Sequence, residues 1–194
     1  EFAASLSHWA SGILDDRVRN RWLGPTTEAA VARLLQGCPP LDAGSRTTRS
    51  CAAAYRSVAL GIRFRPLAGQ PGEDAQAVMS AAASITHNSS VSIAGAVVVG
   101  AIIGDLCNGM LPDHAVRSAA FALPATEEVR DLKHRIEMAL HGTLKDEEAR
   151  EAFGTGSPID QTLPLALFFF LKYRSDFGAA VRAAAASYRR DNPL

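Results

Sequence analysis

The sequence predicts an all-α fold, and three observations support that prediction. Strand signals are scarce, because runs that alternate Val, Ile, Thr or aromatic residues between turn residues hardly occur. Alanine is abundant, and apolar residues recur at the helical spacing of about 3.6 residues. The chain has 194 residues, 47% of them hydrophobic and 21% charged, which is typical of a soluble globular protein. We therefore predict a single all-α domain over residues 1–194.

Helical spacing and end signals locate the helices of the first half. Proline and threonine favour a helix start, and glycine a helix end. Two breaks separate these helices, a loop rich in Gly, Ser, Thr and Arg from Pro39 to about Ser50, and a second break from Pro66 to Gly72. The predicted helices run from Ala3 to Leu14, from Pro25 until Gly37, from Cys51 to Leu60, and from a cap at Asp74 or Glu73 to about Ile85.

The most apolar stretch begins at Ser92, after a polar interruption from Thr86 to Ser90. Its uninterrupted apolar run, Ile93 to Gly104, is twelve residues long, which is short of the roughly 20 residues needed to cross a bilayer. We interpret this run as the central helix of the core and expect no membrane segment. Its glycines are spaced so that neighbouring helices can approach closely.

First-turn residues indicate the helices that follow. A loop, Gly154-Thr155-Gly156-Ser157-Pro158, divides them into two groups. The predicted starts are Pro112-Asp113, Thr126-Glu127-Glu128 and Asp146, the last of these opening a helix to Phe153; Pro164 then opens Leu165 to Tyr173, and Asp176 caps Phe177 to about Tyr188.

Charge and cysteine content exclude several classes of protein. Lys and Arg together number 20 and so do Asp and Glu, which leaves no electrostatic signature for nucleic acid or anionic lipid. Cys38, Cys51 and Cys107 are too few and too scattered for a disulfide framework or a zinc site. The start, Glu1-Phe2-Ala3-Ala4, lacks the pattern of a signal peptide. These features predict a protein of a reducing compartment, the cytoplasm.

The residues alone show no catalytic motif. Neither Gly-x-Ser-x-Gly, Gly-x-Gly-x-x-Gly nor the phosphate-loop pattern occurs. Gly154-Thr155-Gly156 by itself is typical of a flexible loop between helices. Asp15-Asp16 stands beside Arg17 and Arg19, which is typical of a solvated charge cluster rather than a metal site.

His87 and three arginines are the more informative polar residues. His87 lies between two apolar helices, where its side chain can face a cleft, although a single histidine is more often structural. Arg46, Arg49 and Arg56 can grip a phosphate, because guanidinium groups match its geometry. They can equally form a solvated basic loop. The residues thus indicate an all-α domain with a candidate anion-binding loop.

Several stretches match one ordered set of motifs along nearly the whole chain. Ser5 to Trp9 is similar to Tyr-Leu-x-Trp-Leu, and Gly24 to Thr27 to the helix start Gly-x-Thr-x that follows it. Ser50 to Ile62 is similar to Gly-Cys-Gly-Gly-x-Met-Arg-x-Ala-Pro-x-Gly-Leu. Ala81 to His87 matches Ala-Ala-x-Thr-His best of all, and Leu163 to Phe170 matches a late helix that leads to Gly-Gly-Asp-x-Asp-x. In this order the motifs resemble those of the ADP-ribosylglycohydrolase family.

The resemblance implies a fold, a reaction and a set of site residues. The implied fold is an orthogonal multi-helix bundle that lacks the first and last helical segments of the family. The implied reaction cleaves the bond between ADP-ribose and a protein side chain, with a pair of Mg²⁺ or Mn²⁺ ions, and the implied partner is ADP-ribose or an ADP-ribosylated protein. The residues that match substrate contacts are Ser50, Cys51, Arg56, His87, Gly156 and Ser157, and the metal candidate is Asp191.

The sequence also departs from the family pattern. The upstream Thr-Asp-Asp motif is absent, residues 187–194 stand where two further aspartates are expected, and Ala52 and Ala53 replace glycines of the substrate loop. One Asp does not supply the carboxylate oxygens that two divalent cations need. We expect Ala52 and Ala53 to hinder the approach of a ligand phosphate to the backbone.

Three interpretations therefore stay open. The first is a fragment, or one chain of a pair, whose metal site another segment completes. The second is a non-catalytic relative that binds ADP-ribose or another nucleotide, and the third is a helical scaffold. Missing flanking helices also predict an exposed apolar patch along Ile93 to Gly104, and with it self-association or a complementing chain.

Overall fold

The computed structural model describes residues 1–14, 23–64 and 74–186. Within these ranges the chain forms eleven helices and no strand, which confirms the predicted all-α fold. The helices are α1 (Phe2–Leu14), α2 (Pro25–Leu35), α3 (Pro40–Ala43), α4 (Ala52–Phe64), α5 (Ala75–Ser84), α6 (Ser90–Cys107), α7 (Pro112–Phe121), α8 (Glu127–His141), α9 (Asp146–Phe153), α10 (Ile159–Lys172) and α11 (Phe177–Ala185).

Side-chain caps explain where three of the helices begin. The carboxylate of Asp74 accepts a hydrogen bond from the backbone N–H of Ala77 at 3.1 Å, which confirms the predicted cap of α5. Asp176 caps α11 in the same way, with 2.8 Å to the N–H of Ala179. Ser89 caps α6. Each cap satisfies one of the backbone N–H groups that the first turn of a helix leaves without a partner. The alternative cap, Glu73, lies outside the described residues.

The predicted start of α10 is wrong. Pro164 does not open this helix but lies inside it, because α10 begins five residues earlier, at Ile159. Proline inside a helix removes one hydrogen bond and costs about 3 kcal/mol. Burial of Ile159 and Leu163, which are 1% and 5% exposed, offsets that cost. The sequence rule placed proline correctly in a helix but did not detect the turn before it, Ile159 to Leu163, which contains three polar residues.

Two smaller differences concern the ends of elements. The loop after Pro39 contains a short helix, α3, and α4 continues past the predicted end at Leu60 to Phe64. The predicted break from Pro66 to Gly72 and the end of the last helix near Tyr188 fall outside the described residues.

Helix α6 lies at the centre of the packing and contacts α4, α5, α7, α8 and α10. The predicted central core helix is thereby confirmed. Its buried residues Val98 and Ile102 join a cluster with Leu132 and Phe168 from α8 and α10. Glycine permits the close approach of α4, since a Cβ on Gly61 would stand 2.2 Å from the carbonyl oxygen of Gly100.

Helix α6 has the length and composition to cross a bilayer, with 18 residues and a mean hydropathy of 2.0. Half of it is buried inside the protein, and core helices commonly share these properties. The apolar run Ile93 to Gly104 underestimated the length of α6, because the helix also includes residues 90–92 and Asp105 to Cys107. Although α6 is apolar around its whole circumference, one side of it is not covered by other described helices.

Candidate functional site

Three loops meet near the beginning of α6. The N–H of Ser45 donates to the carbonyl of Thr86 at 3.0 Å, which joins the loop before α4 to the turn after α5. The N–H of Cys51 donates to the carbonyl of Ser157 at 3.2 Å, which joins the same loop to the one before α10. We call residues 45–51, 86–89 and 154–158 together the loop cluster.

Two serines at the start of α6 hold the loop before α4 in place. The carbonyl of Thr48 accepts hydrogen bonds from the hydroxyls of Ser89 and Ser92, the second at 3.1 Å. The Ser92 hydroxyl also lies 3.3 Å from the carbonyl of Ser50. Sequence reasoning did not identify either serine as part of the site, because their partners lie more than 40 residues away along the chain.

An ion pair fixes the other side of the loop cluster. The Arg49 guanidinium lies 2.7 Å from the carboxylate of Asp160, whose side chain is 11% exposed. This hydrogen bond raises the pKa of Arg49 above its usual value. Arg46 pairs with Asp42 at 3.4 Å, where both side chains are exposed. Two of the three arginines predicted to grip a phosphate are thus already paired with carboxylates.

The third arginine begins a buried chain of hydrogen bonds. The Arg56 guanidinium donates to the hydroxyl oxygen of Thr86, and that oxygen lies 2.8 Å from Nδ1 of His87. The Thr86 hydroxyl has one proton and two acceptor lone pairs, and with Arg56 donating to it we assign that proton to the contact with His87. Nδ1 is then the acceptor, and the proton of the neutral imidazole resides on Nε2.

His87 stays neutral at pH 7. Burial lowers its pKa to about 4, and the positive charge of Arg56 acts in the same direction. The pKa of Arg56 is lowered by burial as well. The Nε2 atom of His87 is buried and has no hydrogen-bond partner, the only buried side-chain N or O atom in this condition among the described residues. The network therefore keeps one donor unsatisfied.

Cys51 and Tyr55 form a second side-chain contact beside the loop. The thiol sulfur of Cys51 lies 3.1 Å from the hydroxyl of Tyr55. This hydrogen bond, followed by burial, raises the pKa of Tyr55 to about 12. Cys51 is buried, with 8% of its surface exposed. Tyr55 is 68% exposed, so its ring is accessible to solvent.

The loop before α10 is held by the first turns of that helix. The N–H of Gly156 donates to the side-chain oxygen of Gln161 at 3.0 Å, and its carbonyl accepts from the hydroxyl of Thr162 at 2.9 Å. A Cβ on Gly156 would lie 2.8 Å from the Gln161 oxygen, so the close approach favours glycine. Ser157 next to it is exposed.

Comparison with known proteins decides the family. The family model described as ADP-ribosylglycohydrolase matches residues 1–192 of the 194. The chain belongs to the ADP-ribosylglycohydrolase family. The helical fold agrees with this assignment, and the ordered motifs reflect kinship rather than chance similarity among alanine-rich helices. A search of curated protein sequences found no match.

The positions that match the substrate contacts of ADP-ribosylglycohydrolases lie in or beside the loop cluster. Their exposure differs, since His87 and Cys51 are buried, Arg56 is half-buried and Ser157 is exposed. The six positions are Ser50, Cys51, Arg56, His87, Gly156 and Ser157. These positions lie together at this one end of the bundle, and their role in binding stays a prediction.

The expectation that Ala53 would hinder a ligand is not supported by its position. Ala53 is 1% exposed, and its methyl group packs with Ala83 and Ala96 between α4, α5 and α6. The side chain therefore points into the helix packing. Ala52 is half-buried at the start of α4.

The described residues do not fit the metal pair of ADP-ribosylglycohydrolases. Residues 1–14, 23–64 and 74–186 contain no group of three or more His, Cys, Asp or Glu side chains placed to hold a metal ion. The carboxylate of Asp160 is committed to Arg49. Asp191, the metal candidate, and the pair Asp15-Asp16 lie outside the described residues.

Proposed function

We propose that the loop cluster binds ADP-ribose, and that the protein removes ADP-ribose from modified protein side chains when a metal site is completed. The observation that supports this proposal is the junction of three loops, one of which carries Thr86 and His87, beside Arg56 of α4. Family membership supports the general activity. The specific ligand and the reaction are our inference from that geometry.

The buried network offers donors for an anionic ligand. Arg56 carries five N–H donors, and the contact with Thr86 uses only part of them. A guanidinium that is half-buried binds a phosphate more strongly than an exposed one, because water screens the charge less. We therefore assign Arg56 to the diphosphate of ADP-ribose.

His87 acts on the ligand only after a small movement of the loop cluster. Its side chain has no exposed surface, while its Nε2–H lacks a partner. An unsatisfied buried donor costs about 1 to 3 kcal/mol, and a ligand oxygen that reaches it recovers that cost. We propose that the loop cluster shifts when ADP-ribose binds and that His87 donates to a ribose or phosphate oxygen.

The metal ions remain part of the proposal rather than of the described structure. Mg²⁺ or Mn²⁺, when bound, would polarise the glycosidic bond and activate water. Asp191 is our candidate ligand, and further carboxylates must come from outside the described residues. The described side chains bind and orient the substrate. We propose the cytoplasm as the compartment, in line with the free thiols of Cys38, Cys51 and Cys107.

Calorimetric titration with ADP-ribose, in Mg²⁺ and again in EDTA, tests the proposal. Thr86→Val breaks the link between Arg56 and His87, and we expect it to weaken binding about tenfold, the effect of one charge-assisted hydrogen bond. Arg117→Gln, on the exposed side of α7, is the matched control. Equal affinity of both variants would refute the assignment of the site.

The two buffers also distinguish a metal-dependent hydrolase from a protein that only binds ADP-ribose. Binding that requires Mg²⁺ supports the hydrolase and assigns carboxylates such as Asp191 to the metal. Binding that EDTA does not change supports the alternative, a non-catalytic relative that holds ADP-ribose or another nucleotide. No binding in either buffer contradicts both and leaves a helical scaffold, for which self-association or a complementing chain would be the next test.

A further inference from the structure

A groove with a volume of about 500 Å³ runs along α6, on a different side of the helix from the loop cluster. One wall comes from α5 and the end of α4, and the other from the end of α7 and the start of α8. Its α6 lining extends from Ser90 to Asp105, which corresponds to about 22 Å at 1.5 Å per residue. We call this space the α6 groove.

Apolar side chains dominate the α6 groove. Ile93, Val97 and Ala101 line its α6 side and are only half-buried, while Met79 and Leu123 contribute from the walls. A volume of about 500 Å³ falls in the range of small-molecule sites, which are mostly apolar with a few polar groups that orient the ligand. The groove thus has the size and chemistry of a binding site for a small apolar molecule.

Among the described residues, Asp105 is the only charged one that lines the groove. Burial raises the pKa of its carboxyl, because the charged form loses contact with water. Within the described ranges no Lys, Arg or His forms an ion pair with it. The apolar groove therefore contains one carboxylate that no basic residue in the described part of the chain pairs with.

The position of Asp105 in α6 increases its need for a cation. It lies in the last turn of the helix, where the helix dipole carries partial negative charge, and that turn contains no basic residue. Helices usually place cations at this end, and an acidic residue here is unfavourable. The carboxylate and the helix end thus both attract positive charge at one end of the groove.

We propose that the α6 groove binds a small apolar molecule that carries one amine, with the ammonium group at Asp105 and the apolar part along Val97 and Ile93. Charge complementarity selects this class over a neutral or anionic apolar ligand. The site is separate from the loop cluster, so the inference does not depend on the proposed function.

Calorimetric titration of the protein with octylamine, hexylamine and octan-1-ol at pH 7 tests the inference. Octylamine should bind about tenfold more tightly than octan-1-ol, because only the amine forms a charge-assisted contact with Asp105. Each methylene buried is worth about a fourfold change in Kd, so that octylamine should bind about fifteenfold more tightly than hexylamine.

Two variants locate the binding. Asp105→Asn should abolish the preference for the amine while leaving octan-1-ol binding unchanged, and Glu137→Gln on exposed α8 surface is its charge control. Ala101→Trp should fill the groove and prevent binding of both ligands. Ala59→Trp, at an exposed position of α4 that does not line the groove, controls for the added ring. Circular dichroism confirms that each variant is folded.

Specific outcomes overturn the inference. Absence of octylamine binding to the folded wild type does so, and so does equal affinity for octylamine and octan-1-ol. If the wild-type chain instead associates with itself in sedimentation experiments, and Ala101→Trp prevents this, a second copy fills the groove and the amine proposal is wrong. Titration of the same samples with ADP-ribose shows independently whether the loop cluster is intact.

Discussion

The two sides of α6 differ in whether their side chains already have partners inside the protein. At the start of the helix, buried polar side chains form hydrogen bonds with each other and with the backbone of the loop cluster, some across long sequence distances, and only His87 Nε2 has no partner among the described residues. Along its flank, the α6 groove leaves apolar side chains half-buried and one carboxylate, Asp105, without an ion-pair partner among the described residues. One helix thus contributes to a polar site, whose buried groups are almost all hydrogen-bonded, and to an apolar groove that can take a ligand.

The largest effect we predict comes from titration of His87. Its pKa in the folded state, about 4, lies below the usual 6.5, so the unfolded chain takes up a proton first as the pH falls. Stability attributable to His87 is thus complete above pH 6.5 and declines by up to about 3 kcal/mol as the pH approaches 4. Urea unfolding of the wild type at pH 7, 5.5 and 4.5 measures this loss.

His87→Gln should reduce that pH dependence, because glutamine does not titrate. His114→Gln, on the exposed surface of α7, should keep the wild-type profile. If His87→Gln lost stability with falling pH as steeply as the wild type, the buried neutral imidazole would be ruled out.

The next largest effect concerns the close contact between α4 and α6. In Gly61→Ala the new methyl group would stand 2.2 Å from a backbone oxygen of α6 that cannot move away alone. We expect a net loss of about 2 kcal/mol in the free energy of unfolding, the usual scale for overpacking. The control is Gly12→Ala in α1, which has nothing within 4 Å and should gain about 0.5 kcal/mol from helix propensity. Equal midpoints in urea for both variants would contradict the close contact.

A smaller effect is expected for Thr86→Val. This change leaves Arg56 and His87 without their shared partner and should lower the free energy of unfolding by about 1.5 kcal/mol at pH 7. Thr47→Val in the same loop, where the side chain is exposed, should change it by less than about 0.5 kcal/mol. Thermal unfolding of the two variants gives the comparison, and a Thr86→Val protein as stable as the wild type would show that the network contributes nothing.

The smallest effect is a gain in stability. Asp105→Asn removes a negative charge from the C-terminal turn of α6, which should raise the free energy of unfolding by about 0.5 kcal/mol. Urea unfolding at low ionic strength has the precision to detect it. A loss of stability would mean that the carboxylate already has a partner, and the unbalanced charge of the α6 groove would be disproved.

The sequence predicted more of the fold than of the site. Periodicity and caps such as Asp74 located most helices, since those signals are local. Pro164 gave the wrong start for α10 because Ile159 packs against Gly95 of α6, a contact between residues far apart in the sequence, and this packing includes Ile159 in the helix. The residues alone singled out Arg56 and His87, and the resemblance to a family added their role as substrate contacts. The hydrogen bonds that Ser89 and Ser92 donate to the carbonyl of Thr48 depend on tertiary structure that no spacing shows.

The α6 groove also shows a feature that the sequence did not predict. On one side of α6 the described helices leave Ile93, Val97 and Ala101 half-buried. Asp105 was not identified, because nothing in the sequence places it at the end of a cavity. Its significance comes from the burial and the absence of a cation beside it in the described structure.

Hydrogen exchange with and without ADP-ribose tests the central claim most directly, since it reports on both sides of α6 in one measurement. We predict protection of backbone amides in residues 45–51, 86–89 and 154–158, with little change along residues 93–105. Protection confined to residues 93–105, or spread over neither region despite saturating ligand, would contradict the assignment of ADP-ribose to the loop cluster.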